Sequence, residues 1–195
     1  MAWHSKKMIY EIQCSPIPFE EVQCRILDYI SIGYEVIWIL HDKQFNRKNL
    51  SAAESFLRNL PCYFTDIDKL GDGIVYDQFE VLKDHRRLFK GPPLTVSLEK
   101  FFRLPAVVPP DFVLPQIVSS RFEKWKCYME GDLLHRLLKE GHLSQSIKKM
   151  LTLEQQILGS HEEKVAEIKR LPFKTLIIKS YRFLIDHLLK TFSRS

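Results

Sequence analysis

Residues 36–40 are five consecutive apolar side chains, a run that leaves no polar face for solvent. A strand of this kind is buried on both sides, as in a sheet that helices cover on both faces. Residues 8–14 alternate in polarity instead, which predicts a second strand with two different faces. Between the two strands, apolar residues recur at helical spacing after Pro18 and up to Gly33, which predicts a helix. The order strand, helix, buried strand predicts an α/β core.

The pattern continues along the first hundred residues and then changes. A short amphipathic helix is predicted over residues 49–59, a strand over 62–64 and a strand-like stretch over 74–82. Near residue 105 four prolines fall close together: Pro105, Pro109, Pro110 and Pro115. Prolines at this density favour an extended linker. Three helical stretches are predicted beyond it, at about 120–140, 144–169 and 172–193.

Three regions are therefore predicted: a core over residues 1–104, a proline-rich linker over 105–119 and a helical region over 120–195. The hydrophobic content of 45% excludes a disordered chain. No apolar run approaches the ~20 residues that a membrane-spanning helix needs. The four cysteines are scattered, without a CxxC pair or a zinc-binding spacing, which predicts reduced, mostly buried thiols and a cytoplasmic protein.

Positive charge is concentrated in the second half of the chain. Residues 1–100 carry 13 Lys and Arg against 14 Asp and Glu, whereas residues 101–195 carry 16 against 10. A basic region can bind nucleic acid or another anionic surface, and it can equally be a solvated helix face. Residues 83–90 add a basic stretch that includes Arg86 and Arg87. That stretch either contacts phosphates or forms an exposed basic loop.

A carboxylate and an amide lie two residues apart on one side of the first predicted strand. These are Glu11 and Gln13, and such a pair can hold a hard cation and a water or can simply face solvent. The following helix carries Glu21, Arg25 and Tyr29 at i, i+4 spacing, so these three form one stripe. The stripe is either an exposed ion pair or a charged surface turned toward Glu11.

Taken together, this segment resembles the CoiA-like competence protein family. The resemblance rests on Glu11, Gln13, Ser15 and Ile17, then Arg25 and Tyr29, then Gly33 and the apolar run 36–40. It covers residues 8–40 in order and spacing, and it continues more loosely through 63–64, 76–79 and 91–94. It implies a PD-(D/E)XK nuclease-like fold: an α/β, restriction-endonuclease-like mixed sheet core flanked by helices, with a C-terminal helical appendage.

The resemblance also implies a role for each matching residue. Glu11 and the backbone carbonyl of Ile12 would bind Mg²⁺ or Mn²⁺, and Gln13 would stand where related nucleases usually have lysine. The residues that would support the site or contact the DNA backbone are Ser15, Arg25 and Tyr29. The implied function is a competence nuclease that hydrolyses DNA phosphodiester bonds during transformation or recombination, with a recombinase as a further partner.

One part of the family pattern has no counterpart in the sequence. The pattern requires an acidic residue, normally Asp, near the end of the strand before Glu11, and residues 1–10 contain no acid. Alignment of the hairpin puts that Asp just ahead of Met1. Either Met1 is internal to a longer protein whose N-terminal part is missing here, or the site is degenerate. In the second case the alternative function is a non-catalytic DNA-binding or recombination accessory module.

Overall fold

The computed structural model describes residues 2–105 and 113–170 of the chain. Its strands and helices are β1 (Ala2–Trp3), β2 (Met8–Gln13), α1 (Phe19–Ser31), β3 (Glu35–His41), α2 (Ala52–Leu57), β4 (Cys62–Thr65), β5 (Val75–Asp77), β6 (Glu80–Lys83), β7 (Arg86–Lys90), β8 (Leu94–Thr95), β9 (Ser97–Arg103), α3 (Gln116–Lys124), β10 (Cys127–Glu130), α4 (Leu133–Lys139) and α5 (Leu143–Arg170). None of the described helices is long and apolar enough to cross a membrane.

A mixed sheet in the order β1-β2-β3-β4-β5-β8 forms the centre of the described structure. Strands β2, β3 and β4 run parallel. Strand β1 pairs antiparallel with β2 at one edge, and β5 and β8 continue antiparallel at the other. Parallel neighbours need a crossover connection, and α1 and α2 supply the two crossovers between β2, β3 and β4. The predicted α/β fold, a mixed sheet flanked by helices, is confirmed.

Strand β3 lies inside this sheet and is buried on both faces, as its apolar run predicts. Ile37 and Ile39 belong to a hydrophobic cluster on one face, which continues into β10 and α4. Trp38 and Leu40 belong to a second cluster on the other face, together with side chains of α1 and α2. Each aliphatic side chain buried in this way contributes about 1.5–3 kcal/mol. The two clusters therefore hold helices on both sides of β3.

Strand β10 corrects the helix predicted at about 120–140. Residues 127–130 pair antiparallel with β9 and separate α3 from α4. Cys127, Tyr128 and Met129 are all buried, and a short fully buried run of this kind is as compatible with a strand as with a helix. Asp132 then begins α4, because its side chain accepts a hydrogen bond from the backbone N–H of His135 at 2.7 Å.

The chain divides into two compact units, residues 1–157 and 158–195. The first contains the mixed sheet, the β9–β10 pair and helices α1 to α4, and the described part of the second is the end of α5. Helix α5 agrees with the helix predicted over 144–169. The helix predicted at 172–193 and residues 106–112 of the predicted linker lie outside the described residues. The division into 1–104, 105–119 and 120–195 stays a prediction.

Buried polar contacts attach α3 and α4 to the sheet. The Arg121 guanidinium donates to the Asp77 carboxylate at 2.5 and 2.7 Å, and both side chains are fully buried. Asp132 accepts a hydrogen bond from the Tyr63 hydroxyl at 2.7 Å. Burial and the nearby charge of Asp77 raise the pKa of Asp132 to about 6.

Candidate functional site

The candidate site lies where strand β2 faces helix α1. In the β2–β3 register Glu11 lies beside Trp38 and Gln13 beside Leu40. Both polar side chains therefore point to the same face of the sheet as Trp38 and Leu40, which is the face that α1 covers. The side chain of Glu11 is 16% exposed, and Gln13 is buried. The prediction that Glu11 and Gln13 share one face of a strand is confirmed.

Both carboxylate oxygens of Glu11 are engaged by helix α1. Arg25 donates from Nη1 to Oε1, and the Tyr29 hydroxyl donates to Oε2 at 2.9 Å. The other end of the Arg25 guanidinium donates to Glu21 at 2.5 Å. The helix stripe expected from the i, i+4 spacing thus contacts Glu11.

These contacts also change the proton affinities of the stripe. The hydrogen bond to Glu21 raises the pKa of Arg25, and Glu11 adds to this against the effect of burial. Burial, followed by the bond to Glu11, raises the pKa of Tyr29. Arg25 and Tyr29 therefore stay protonated at neutral pH, and both remain hydrogen-bond donors to the carboxylate.

Gln13 and Ser15 form a separate group of hydrogen bonds. The Gln13 amide donates to the backbone carbonyl of Ser15 at 2.6 Å and lies 3.4 Å from its hydroxyl. This amide is directed at the turn after β2, whereas Glu11 is directed at α1. The structure thus brings Glu11 together with Arg25 and Tyr29, and Gln13 together with Ser15.

A metal ion has too few ligands at this place among the described residues. No group of three or more His, Cys, Asp or Glu that could hold a metal occurs in residues 2–105 and 113–170. In the β1–β2 register Ala2 pairs with Ile9, so the position opposite Glu11 lies ahead of residue 1. Ile12 is 57% exposed, and the metal-binding role of its carbonyl stays a prediction. The described residues do not fit Mg²⁺ or Mn²⁺, because Glu11 already accepts two hydrogen bonds and the neighbouring carboxylate of Glu21 is paired with Arg25.

Sequence reasoning missed a buried ion network next to the sheet, and it placed Arg87 wrongly. Arg87 was expected in a basic loop, yet it is 4% exposed and donates to Glu80 at 2.6 Å and to Glu54 at 2.8 Å. Arg58 also donates to Glu80 at 2.6 Å. Burial raises the pKa of Glu80, but Arg58 and Arg87 outweigh it and lower that pKa to about 2. Arg86, the neighbour of Arg87 in sequence, is exposed as expected.

Comparison with known proteins confirms the resemblance over part of the chain. Residues 1–69 match the family model described as competence protein CoiA, nuclease-like domain. This segment contains β1 to β4, the Glu11 site and both crossover helices. No curated protein and no solved structure matches the chain. The match indicates a competence-related, nuclease-like protein.

Proposed function

We propose that this chain, which carries a CoiA nuclease-like domain, binds DNA in competence without hydrolysing it. The nuclease-like domain supports DNA as the ligand. The family resemblance assigns Glu11 to the metal, but its carboxylate already accepts hydrogen bonds from Arg25 and Tyr29. This supports binding without cleavage. A DNA-binding module of this kind would hold DNA for other enzymes, and a recombinase is the partner that fits such a role.

The observation that carries the proposal is the double engagement of the Glu11 carboxylate. A cation at Glu11 would have to displace both Arg25 and Tyr29. Magnesium is typically held by one or two carboxylates plus substrate, and it keeps several of its waters. A single carboxylate that already accepts two hydrogen bonds, one of them from a cation, is a poor ligand for it.

Gln13 supports the same conclusion from the proton chemistry. Its amide can donate and accept hydrogen bonds, but it cannot take up a proton from an attacking water. In the structure this amide is directed at the turn that contains Ser15. Neither Glu11 nor Gln13 is therefore placed to take a proton from an attacking water.

The cytoplasm is the compartment that we propose for this function. All four cysteines are free. Cys62 and Cys127 are buried as expected, whereas Cys14 and Cys24 are exposed, and exposed free thiols persist in a reducing environment.

The test measures DNA binding and DNA cleavage on the same purified protein. Labelled duplex and single-stranded DNA are titrated with protein in EDTA, in Mg²⁺ and in Mn²⁺, and the products are resolved on a denaturing gel. We expect salt-sensitive binding in all three conditions and intact DNA in each. Glu11→Ala is compared with Glu21→Ala, which removes the other carboxylate partner of Arg25.

Two results would overturn the proposal. An absence of DNA binding at low salt would remove the DNA-binding function. Cleavage that depends on Mg²⁺ or Mn²⁺, is lost in Glu11→Ala and is kept in Glu21→Ala would establish the hydrolytic function instead.

A further inference from the structure

We infer that an exposed basic surface next to the β6–β7 hairpin binds the phosphate backbone of DNA. This inference rests on the proposed DNA-binding function and names the surface that performs it. The surface is formed by the loop 43–49, which follows β3, and by the hairpin 83–90. Its exposed cationic residues are Lys43, Arg47, Lys48, Lys83, Arg86 and Lys90.

The backbone joins the loop and the hairpin into one surface. Asn49 and Arg86 form a β-bridge. On either side of it, the Arg87 N–H donates to the Lys48 carbonyl at 2.7 Å, and the Leu50 N–H donates to the His85 carbonyl at 2.8 Å. The backbones at Lys48 and Arg86, far apart in sequence, are therefore adjacent, with Lys48 opposite Arg87 and Arg86 opposite Asn49.

Buried side chains fix this arrangement from below. Arg87 is bound to Glu54 and Glu80, and its Nη1 also donates to the backbone carbonyl of Arg47. The ammonium of Lys90 donates to the Asn46 carbonyl at 3.1 Å, and the Asn46 N–H donates to Glu54 at 2.9 Å. The loop is thus tied to a buried charged network in which Arg87 bridges Glu54 and Glu80. A surface ordered before binding loses less conformational entropy when a ligand arrives.

The charge of the surface complements a polyanion. Within the segments 43–49 and 83–90 the one acidic residue is Asp84, against six exposed cations. The nearby carboxylates of Glu54 and Glu80 are buried and bound to Arg87, so they lie away from the solvent-facing cations. Asp42 directly precedes the loop, so cations are in excess over acids here but do not stand alone. An excess of surface cations contacts phosphates and releases the counterions that surround DNA.

DNA fits this surface better than a lipid membrane does. Proteins that lie on membranes combine basic residues with exposed apolar side chains that enter the interface. Here Phe45, the apolar residue of the loop, is buried at 3% exposure, and Leu88 and Phe89 of the hairpin are half-buried. Within the two segments the fully exposed side chains are therefore polar or charged.

The position of the surface agrees with a role beside the Glu11 site. The loop begins directly after β3, and β3 ends next to the last residue of β2, since Leu40 is in register with Gln13. The start of the basic loop and the residues that follow Gln13 therefore lie at the same end of the sheet, where the parallel strands have their carboxyl ends. Ligands of open α/β sheets commonly bind at the carboxyl ends of the strands.

The experiment compares two double variants of the full chain. Lys48→Gln with Arg86→Gln removes two charges from the basic surface, and Lys148→Gln with Lys149→Gln removes two exposed charges from α5. Binding of a fluorescent duplex, and of a single strand of equal length, is measured by anisotropy over a range of salt concentrations. We expect weaker binding in the surface variant alone. Its slope of log K against log salt should be shallower by about 2 for the duplex.

A second measurement uses the unaltered protein and does not depend on the folding of a variant. Lysines are labelled with an amine-reactive reagent in the presence and absence of DNA, and the labelled positions are read by mass spectrometry. We expect DNA to protect Lys43 and Lys48 more than Lys148 and Lys149.

The outcomes separate this inference from the proposed function. If the unaltered protein binds no DNA, both fail. If it binds DNA but the two double variants are weakened equally, or protection is the same at all lysines, the surface is wrong while DNA binding stands. Tighter binding to vesicles rich in anionic lipid than to DNA, lost in the surface variant, would replace DNA with a membrane as the ligand.

Discussion

Two of the carboxylate–guanidinium groups in the described structure lie at very different depths. Beside α1, Arg25 keeps 36% of its side chain exposed while it binds Glu11 and Glu21. Beneath the β6–β7 hairpin, the side chains of Arg58 and Arg87 are at most 3% exposed. Water partly screens Arg25, so the pairs of the first group contribute little stability, whereas in the second group removal of one partner leaves an uncompensated buried charge. The first group keeps the Glu11 carboxylate engaged, and the second holds a surface in place.

The largest expected effect is in the buried region. Arg87→Ala leaves Glu54 and Glu80 without one of their cations, and we expect it to lower the free energy of unfolding by about 3–5 kcal/mol. Arg86→Ala, one residue away and exposed, is the matched control and should stay within about 0.5 kcal/mol. Urea unfolding monitored by circular dichroism measures both. Similar small losses in the two variants would mean that depth does not distinguish the regions.

A second expectation concerns pH and separates two buried carboxylates. The pKa of Asp132 is raised to about 6, so its charged form is disfavoured in the folded state. Stability contributed by the protonated form is therefore present near pH 4 and is lost as the pH rises through about 6. The pKa of Glu80 is lowered to about 2, so its contribution is nearly constant from about pH 5 to pH 7 and begins to fall only as the pH drops through the unfolded value of 4.5, opposite in sign to that of Asp132.

The variant Asp132→Asn tests this sign. The difference in unfolding free energy, Asp132→Asn minus the unaltered protein, should rise between pH 4 and pH 7 by an amount on the order of 2 kcal/mol. Unfolding is measured at several pH values for both proteins, and Glu80→Gln serves as the comparison. A difference between Asp132→Asn and the unaltered protein that is constant with pH would contradict the raised pKa.

A smaller effect is expected at the half-buried site. Tyr29→Phe removes one donor from Glu11 while Arg25 remains, so the loss in unfolding free energy should be about 0.5–1.5 kcal/mol. Tyr34→Phe, which removes an exposed bond to His4, is the control and should cost less. A loss as large as that of Arg87→Ala would show that the Glu11 region is as rigid as the buried network.

The smallest effect is expected for Glu21→Ala. Its contact with Arg25 is an exposed i, i+4 pair, which contributes about 0.3–0.5 kcal/mol and weakens as salt is added. Thermal unfolding at low and high ionic strength measures it. A salt-independent loss would mean that the pair acts through packing and not through charge.

The Glu11 region could be predicted from sequence because its geometry is local. Alternation in β2 places Glu11 and Gln13 on one face, and i, i+4 spacing aligns Glu21, Arg25 and Tyr29 on one side of α1. One strand–helix–strand unit then brings the two rows together. The double engagement of Glu11 could not be predicted, since spacing does not specify which hydrogen bonds a carboxylate accepts.

The buried network could not be predicted because its partners are distant in sequence. Arg87 meets Glu54 across 33 positions, and Arg121 meets Asp77 across 44. A stretch such as His85-Arg86-Arg87 is uniformly basic in sequence, and only strand pairing decides that Arg87 points inward while Arg86 points outward. The same reason explains the error at β10, whose strand character depends on pairing with β9.

The Arg121–Asp77 pair affects how early the sheet can fold while the chain is being synthesised on the ribosome. Asp77 belongs to an antiparallel strand of the sheet, yet its bidentate cation is supplied by α3, well after the last sheet strand has been synthesised. Until Arg121 emerges from the exit tunnel, the carboxylate of Asp77 has Arg58, 3.8 Å away in the folded protein, as a nearby cation but lacks its bidentate partner, so its burial is less favourable. The translated sheet should therefore remain partly open and available to chaperones until α3 arrives.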